Sequence, residues 1–592
     1  MPGIGPDIRF ADPRGSGSLF GGPHLMFRLD LPRIRALHAC LFVILLGAVL
    51  SRPATATGTI PEPAIALTPE QNALLTQAGT PGDHRGGPPA RLIESSPDSA
   101  LALTLRRMPG TPLSLDDAVA MALRNAPAAR EAVYALAGAE AVLKRERGVF
   151  DPELFGDVER SGRDEPTSSP FSGADVLETD RLHLAAGSRI RLRYGTELEA
   201  TLNGTKSATN SAFTALDPQY ESFGALALRQ PLLKGFAPAA RADLTAAERN
   251  LEASRAAYRD ALAGVRAGIE SVYWDLYAAE RDYAVQELTR DRAAAFLEET
   301  RTRADAGLVG PGQVASARVF LAEQEQSLLD QKERLGRVSD ALASLIGHRP
   351  APGERRFRPT EEPQTEYIVE SPAVLLDRAM QANHAVHAAE QAVEATHARV
   401  RGARWDALPA LDLRGSIGGI GLAGDPQEVE FGDIVYRSDR QGDFSDAWSE
   451  VFERNYATWA VGLELSIPLG LREGAGERER LQAERRRAEE RLRALKLALE
   501  EEVRARHREL VHGQKRLRAA REGVAAAQEQ VRIGLVEYRA GQATAFELVR
   551  LGADLAAAQQ RYSQALVRTA KAAAQLRRLT GEFPEAETEE AR

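Results

Sequence analysis

The sequence contains two similar breaks in otherwise long helical stretches: RADAGLVGPGQV at residues 303–314 and YRAGQATAFELV at residues 538–549. Each break contains a glycine, Gly307 or Gly541, and these two glycines are 234 residues apart. Glycine adopts positive φ without the steric cost of a Cβ atom, so each break predicts a sharp reversal between two helices. Two reversals of the same kind indicate a repeated structural unit.

The order of predicted elements around the two breaks is the same. Each copy has a helix, a strand region, a long helix, the break and a further helix, at 115–148, 151–230, 238–306 and 312–346 and again at 372–404, 409–468, 475–540 and 544–580. QPLLKG at 230–235 corresponds to IPLGLR at 467–472, and Gly347 corresponds to Gly581. Such a long period indicates duplication of a large half. The predicted domains are a first repeat (113–350), a linker (351–370), a second repeat (371–582) and a C-terminal tail (583–592).

Apolar residues of the long helix at 475–540 follow one stripe with a period of 3.6 residues. Its members are Leu481, Ala488, Leu492, Leu495, Leu499, Val503, Leu510 and Leu517. At 100° per residue they fall within about 40° of one line. The other faces are charged, so we expect this helix to pack sideways on similar helices. The helix at 238–306 would be roughly 100 Å long at 1.5 Å per residue.

The strand regions alternate between apolar and polar residues. In WAVGLELSI the residues Trp459, Val461 and Leu463 lie on one face, and Glu464 lies on the other. This pattern is typical of a transmembrane β-barrel, in which Trp459 would be a residue of the interfacial aromatic girdle. A soluble β-sandwich would alternate in the same way. Pro231 and Pro468 mark the ends of the two strand regions.

An additional alternating stretch, Leu182 to Leu202, occurs in the first repeat only. It is too long for one spanning strand of ~9 to 11 residues, and therefore we expect a turn near Gly195. A three-residue loop would place Leu192 opposite Ala200, and Arg193 opposite Glu199. The hairpin either adds two spanning strands or folds over an end of the sheet. Two equal halves favour the second outcome, with about four strands per chain.

The N-terminus has the features of a secretory signal peptide at 1–56. Arg28, Arg33 and Arg35 precede the apolar run CLFVILLGAVL at 40–50, and ATA follows at 54–56. This arrangement predicts export and cleavage after Ala56, although a membrane anchor is an alternative. Residues 57–112 are rich in Pro, Gly, Thr and Ser, and predict a flexible linker.

Composition argues against several functions. The net charge of -9 gives no basic footprint for nucleic acid. The one cysteine, Cys40, lies in the predicted signal peptide, and the ten histidines form no recognised metal or catalytic spacing. We therefore expect no enzymatic activity, no metal site and no cofactor. The acidic segment 423–455 is interpreted as a solvated loop rather than a site for divalent cations.

The duplicated order of elements resembles the TolC family of outer-membrane efflux and export ducts. LSLDDAVAMALRNAPAAREA at 113–132 looks like the family's opening helix, and DRAMQANHAVHAAEQAVEA at 377–395 looks like its second copy. The resemblance covers residues 113–582. It implies a mixed fold, in which a long helical barrel in the periplasm continues into a twelve-stranded outer-membrane β-barrel of a homotrimer. It also implies a periplasmic adaptor and an inner-membrane pump as partners, for efflux or type I secretion of small molecules or proteins.

The resemblance also assigns roles to single residues. Gly307, Leu308, Val309 and Gly541 would form the helix tips that bind the adaptor. Tyr538 and Glu547 match positions at the periplasmic aperture, which closes the duct at its inner end.

The tips also depart from the family's pattern. Arg550 stands where the pattern has an acidic residue, Ala543 where it has a basic one, and Gly312 and Gln313 replace polar and acidic partners. The alternative function is that of a periplasmic adaptor or coiled-coil scaffold protein with no membrane barrel.

Overall fold

The two halves of the chain share the order of two helices, a strand region, a long helix and a further helix. The computed structural model describes residues 97–168, 172–348, 356–432 and 434–582. The predicted signal peptide, the predicted linker as far as residue 96 and the C-terminal tail lie outside these residues.

The helices agree closely with the predicted ranges. Those of the first half are α1 (Pro97–Arg107), α2 (Leu115–Asn125), α3 (Pro127–Gly148), α4 (Ala237–Ala240), α5 (Ala242–Asp305) and α6 (Pro311–Ile346). Those of the second half are α7 (Pro372–Ala382), α8 (His384–Asp406), α9 (Phe444–Glu453), α10 (Arg472–Arg539) and α11 (Ala545–Thr580). Among the described residues, no helix combines the length and the apolar character that a membrane crossing requires.

The strands lie between these helices. They are β1 (Thr111–Leu113), β2 (Glu153–Pro166), β3 (Val176–Arg191), β4 (Glu197–Thr209), β5 (Leu216–Pro231), β6 (Phe357–Pro359), β7 (Ala410–Pro426), β8 (Glu428–Phe431), β9 (Ile434–Arg437) and β10 (Tyr456–Ser466). Six of them form one antiparallel sheet in the order β10-β7-β5-β4-β3-β2.

Four rods of helix pack side by side. The 64-residue α5 and the 68-residue α10 are each about 100 Å long at 1.5 Å per residue. On one side of α5 lie α3 and α6, and between α5 and α10 lie α8 and α11. The predicted stripe of α10 is confirmed, because Leu499, Val503 and Leu510 are buried against α7 and α11. Each buried leucine contributes about 1.5 to 3 kcal/mol to this packing.

Corresponding helix ends have the same geometry in the two halves. Four glycines at these helix ends have positive φ: Gly307 at 73°, Gly347 at 72°, Gly541 at 72° and Gly581 at 69°. Gly347 ends α6 against the carbonyl of Asn125, and Gly581 ends α11 against the carbonyl of Ala382. In both halves a glycine in the left-handed region therefore lets the end of one helix pack against the junction between two shorter helices. These junctions are α2–α3 in the first half and α7–α8 in the second.

The first predicted linker is partly ordered, which corrects the expectation that residues 57–112 have little fixed structure. Residues 97–107 of this linker form α1, and β1 pairs in parallel with β6 from the second linker. The hydroxyl of Tyr273 on α5 donates to the carbonyl of Leu113 at 2.9 Å and accepts from the amide of Thr360 at 3.1 Å. Burial raises the pKa of this hydroxyl above its usual value. The two linkers are therefore joined to each other and to α5.

The expected count of four strands per chain is wrong, because the hairpin of β3 and β4 lies within the sheet, between β2 and β5. The turn near Gly195 is confirmed, with φ at 84°. The predicted register is wrong by four residues, since Glu199 pairs with Arg189 rather than with Arg193. The connection has five residues instead of three, because the amide of Leu192 bonds to the carbonyl of Thr196. The shift is even, so each residue keeps its predicted face.

The buried surface of α5 contains charged residues as well as apolar ones. Asp282 is 2% exposed, and one of its oxygens accepts from the guanidinium of Arg334 on α6 at 3.0 Å. Within the described residues, its other oxygen has no hydrogen-bond partner. Burial raises the pKa of Asp282 to about 6, although Arg334 and Arg281 oppose the shift.

We expect Asp282→Asn to change how stability depends on pH. The folded-state pKa lies above the unfolded value, so this group stabilises the fold below pH ~4, and that stabilisation is lost as pH rises through ~6. The shift corresponds to roughly 3 kcal/mol per chain. Helix melting followed by circular dichroism should therefore show the variant gaining stability relative to the wild type between pH 4 and pH 7. Asp340→Asn, at an exposed position of α6, is the control. Parallel curves for Asp282→Asn and wild type would contradict this account.

Candidate functional site

The two tips have the same backbone geometry. After α5, the amide of Leu308 bonds to the carbonyl of Arg303 at 2.9 Å; after α10, the amide of Gln542 bonds to the carbonyl of Glu537 at 2.8 Å. In both, the bond spans a glycine in the left-handed region, Gly307 or Gly541. This is the Schellman arrangement, which satisfies carbonyls that the end of a helix leaves free. The predicted reversals are confirmed in position and in conformation.

The tip after α5 presents an exposed surface. Leu308 is 74% exposed, and Val309 is half-buried. No heavy atom lies within 4 Å of a Cβ built at Gly307 or Gly541, so in the described part of the chain nothing packs on them. A large apolar side chain held at the end of a rod is a feature that a binding partner can recognise.

Tyr538 links the second tip to the first half. Its hydroxyl donates to the carboxylate of Glu299 on α5, and Glu299 also lies 3.4 Å from the guanidinium of Arg303. The ring packs beside Leu548 and Val549 of α11. The sequence showed Tyr538 but not its acceptor, because Glu299 is one of many carboxylates on α5 and lies 239 positions away.

Glu547 has a local partner. Its carboxylate accepts from the amide of Thr544 at 2.8 Å, and the hydroxyl of Thr544 accepts from the amide of Glu547 at 3.2 Å. This capping box begins α11, so the structure gives Glu547 a role in starting the helix. Arg550 is exposed on the same helix.

One face of the six-stranded sheet is apolar across all six strands. Its members alternate with the residues of the other face and pair with one another through the register. They include Leu154 and Val158 on β2, Leu184 and Ile190 on β3, Leu198 and Leu202 on β4, Leu226 and Leu228 on β5, Leu413 and Ile417 on β7, and Trp459, Val461, Leu463 and Leu465 on β10. Trp459, the predicted girdle residue, is 77% exposed.

The other face carries a row of ion pairs near the end of the sheet that joins the helices. Arg189 bonds to Glu153 at 2.8 Å, and Arg229 bonds to Asp412 at 2.8 Å. Arg229 also contacts Glu197 at 3.1 Å, and Arg414 pairs with Glu464. Opposite charges therefore alternate between neighbouring strands, which stabilises the register. Sequence analysis found the alternation of faces but not this row, which depends on pairing between strands.

The predicted loop at 423–455 is structured rather than simply solvated. Within the described residues it contains the hairpin of β8 and β9 and the helix α9. Helix α9 lies on the apolar face of the sheet, over Gly204, Gly224, Gly419 and Gly421. A Cβ at Gly421 would lie 1.8 Å from the carbonyl oxygen of Ala447, so the helix approaches the bare backbone of the strand. Phe444, Trp448 and Phe452 continue along α9 as neighbouring rings.

The two proline strand ends differ. Pro231 is buried and lies beside Gly195, so the turn between β3 and β4 packs against the end of β5. Pro468 is exposed.

Among the described residues, no group of three or more His, Cys, Asp and Glu side chains is placed to hold a metal ion.

The fold thus joins long paired rods with reversed tips to a sheet that has one apolar and one polar face. The profile of the outer membrane efflux protein family matches residues 194–348 and 375–582, which is more than half of the chain. The chain belongs to this family of TolC-like outer-membrane channels.

Solved structures share the fold at low identity. The outer-membrane channel OprN is 17% identical with a TM-score of 0.57, and the alignment covers 85% of this chain and 99% of OprN. The CmeC channel of Campylobacter jejuni is 14% identical with a TM-score of 0.55, covering 80% and 87%. VceC of Vibrio cholerae is 18% identical with a TM-score of 0.54, covering 79% and 96%. The family and these structures are channels rather than enzymes. No curated protein sequence matches the chain.

We expect Tyr538→Phe and Glu299→Gln each to loosen the link between α10 and α5 near the tips. A hydrogen bond to a charged group contributes about 1.5 to 3 kcal/mol, so amides in the last turns of α10 should exchange with solvent roughly tenfold faster or more. Hydrogen–deuterium exchange of residues 530–548 measures this. Glu298→Gln, at the exposed neighbouring position, should leave the exchange unchanged. Equal exchange rates in all three variants and the wild type would show that the hydrogen bond between Tyr538 and Glu299 does not stabilise the last turns of α10.

We expect Gly421→Val to displace α9 from the sheet, because the added side chain meets the backbone of Ala447. Gly415→Val is the matched control, since Gly415 lies on the same strand and face with no heavy atom within 4 Å of its Cβ position. Exchange of amides 444–453 should rise in the first variant only. If the amides of α9 stay protected from exchange in Gly421→Val, the close contact between Gly421 and Ala447 does not hold the helix on the sheet.

Proposed function

We propose that three copies of this chain form a duct that crosses the outer membrane and extends into the periplasm. The observation that carries the proposal is the joining, in one duplicated chain, of a sheet with a continuous apolar face to rods about 100 Å long. The part of the apolar face that α9 leaves uncovered contacts lipid, and the row of ion pairs faces the aqueous interior. This arrangement has the outside-apolar, inside-polar alternation of outer-membrane barrels.

The connections of the sheet support this orientation. The strands that join the rods are β2, β5, β7 and β10, and all four join them at the same end of the sheet. Hydrophilic rods cannot lie in lipid, so they occupy the periplasm, and the acidic segment with α9 lies at the outer surface. An exported chain with a cleaved signal peptide fits this location.

The tips are the contact with the partners of the duct. A periplasmic adaptor binds the exposed surface at Leu308 and Val309, together with the reversal at Gly541, and an inner-membrane pump delivers the cargo. Tyr538 with Glu299, and Glu547 with Thr544, lie at the aperture between the tips. A periplasmic adaptor or scaffold has no use for an exposed apolar sheet face, so the sheet favours the duct.

We expect Gly307→Val and Gly541→Val to reduce efflux while trimers remain in the membrane. A branched side chain at positive φ costs about 1 to 2 kcal/mol, which distorts the reversal locally without unfolding the rods. Efflux is measured in cells that also produce the cognate adaptor and pump, and trimers are measured on gels of unheated membranes. Gly336→Val, on the exposed face of α6, is the control. Wild-type efflux in both tip variants would refute the tip assignment.

A further inference from the structure

The six-stranded sheet has two free edges. In the described residues, β2 pairs only with β3, and β10 pairs only with β7. A row of unpaired N–H and C=O groups on an edge strand is costly in lipid, where no water can satisfy it. If the apolar face of this sheet lies in a membrane, both edges must find partners there.

The two edges are complementary in direction. Strand β2 follows α3 and runs away from the helices, whereas β10 runs back towards α10. An edge of one copy and the opposite edge of another therefore meet antiparallel, like every pair inside the sheet. The even number of strands in each copy lets this alternation continue around a closed ring.

We propose that β2 of each copy pairs with β10 of the next, so that the trimer closes a barrel of eighteen strands instead of the twelve implied by the family resemblance. The proposal rests on the trimeric duct proposed above. It assigns the hairpin of β3 and β4 to the barrel wall.

The stagger of the sheet indicates the register of this contact. One row of paired residues runs from Glu153 through Arg189, Glu199, Ala227 and Ser416 to Ala460. Strand β10 continues six residues beyond Ala460 towards the helices, to Ser466. From each strand to the next, the paired row therefore moves about one residue away from the end of the sheet that joins the helices. If the helix-side ends of β2 and β10 lie level at the contact, Glu153 of the next copy pairs with Ser466.

This register matches the faces of the two edges. It places Leu154 opposite Leu465 and Val158 opposite Val461 on the apolar face. Asp157 comes opposite Gly462 on the polar face. No two like charges meet between 153 and 161, and the apolar band continues from one copy to the next.

The dimensions agree with the rods. A slip of ~3.3 Å per ~4.8 Å between strands gives a tilt of about 35°, within the range of outer-membrane barrels. At that tilt eighteen strands enclose a diameter of ~34 Å, and twelve enclose ~23 Å. Four rods from each of three copies, spaced ~9 Å apart, form a ring of ~35 Å. The eighteen-stranded barrel therefore continues the helical duct without narrowing it.

Paired cysteines test the edge contact in full-length chain carrying Cys40→Ser. Val158→Cys combined with Val461→Cys should give disulfide-linked dimers and trimers on denaturing, non-reducing gels. Val158→Cys combined with Leu226→Cys is the control, because Leu226 lies on the same face of an interior strand and should give no links. Unheated gels of both variants show whether trimers form at all.

Single cysteines test whether the hairpin lies in the wall. With membrane-impermeant maleimide, Ala200→Cys on the apolar face should be protected, whereas Glu199→Cys on the polar face should be labelled. Trimers without cross-links, or with Ala200→Cys open to water, would overturn the eighteen-stranded barrel and leave the trimeric duct standing. Absence of trimers in the uncross-linked chain would overturn the proposed duct, and this inference with it.

Discussion

The structure depends on the burial of α5 among the other helices, and in the middle of α5 all five consecutive residues 276–280 are buried. An isolated helix of 64 residues with charges on most faces has little tertiary stabilisation, and packing supplies it. Helices α3, α6, α8 and α11 all pack on α5, and Ile269, Tyr273 and Leu276 are fully buried. The same helix holds the paired linkers through Tyr273 and the second tip through Glu299. Both halves of the duplication therefore meet on this one rod.

Charged groups within that packing limit how freely the rods can move. Arg577 of α11 pairs with Glu270, Arg334 of α6 pairs with Asp282, and Arg356 lies 3.6 Å from Glu280. Each acidic partner is almost fully buried, so separating a pair would leave an uncompensated charge at a cost of several kcal/mol. The rods are consequently tied to α5 at several heights. Near the tips, the contacts with α5 include the hydrogen bond from Tyr538 to Glu299 and the packing of Phe296 against Phe546.

Sequence reasoning succeeded where the signal is local. Glycine at positive φ marks the tips, and the period of 3.6 or 2 marks helix and strand faces, so element ranges agree within a few residues. It failed where contacts join distant positions. The pairing of β1 with β6, the acceptor Glu299 and the place of the β3–β4 hairpin in the sheet all depend on tertiary neighbours. The hairpin register was wrong because a five-residue connection packs on Pro231 and Gly235, which no local pattern reveals.

The glycines beneath α9 couple two parts of the sequence that a simple alignment would treat separately. Gly204, Gly224, Gly419 and Gly421 come from three strands, whereas the helix that needs them belongs to the connection between β7 and β10. Outer connections are ordinarily the most exchangeable parts of a protein. Here a transplanted 427–455 segment would dock only on a recipient sheet that carried the same bare backbone. Chimeras with other channels must therefore exchange the segment and its four glycines as one unit.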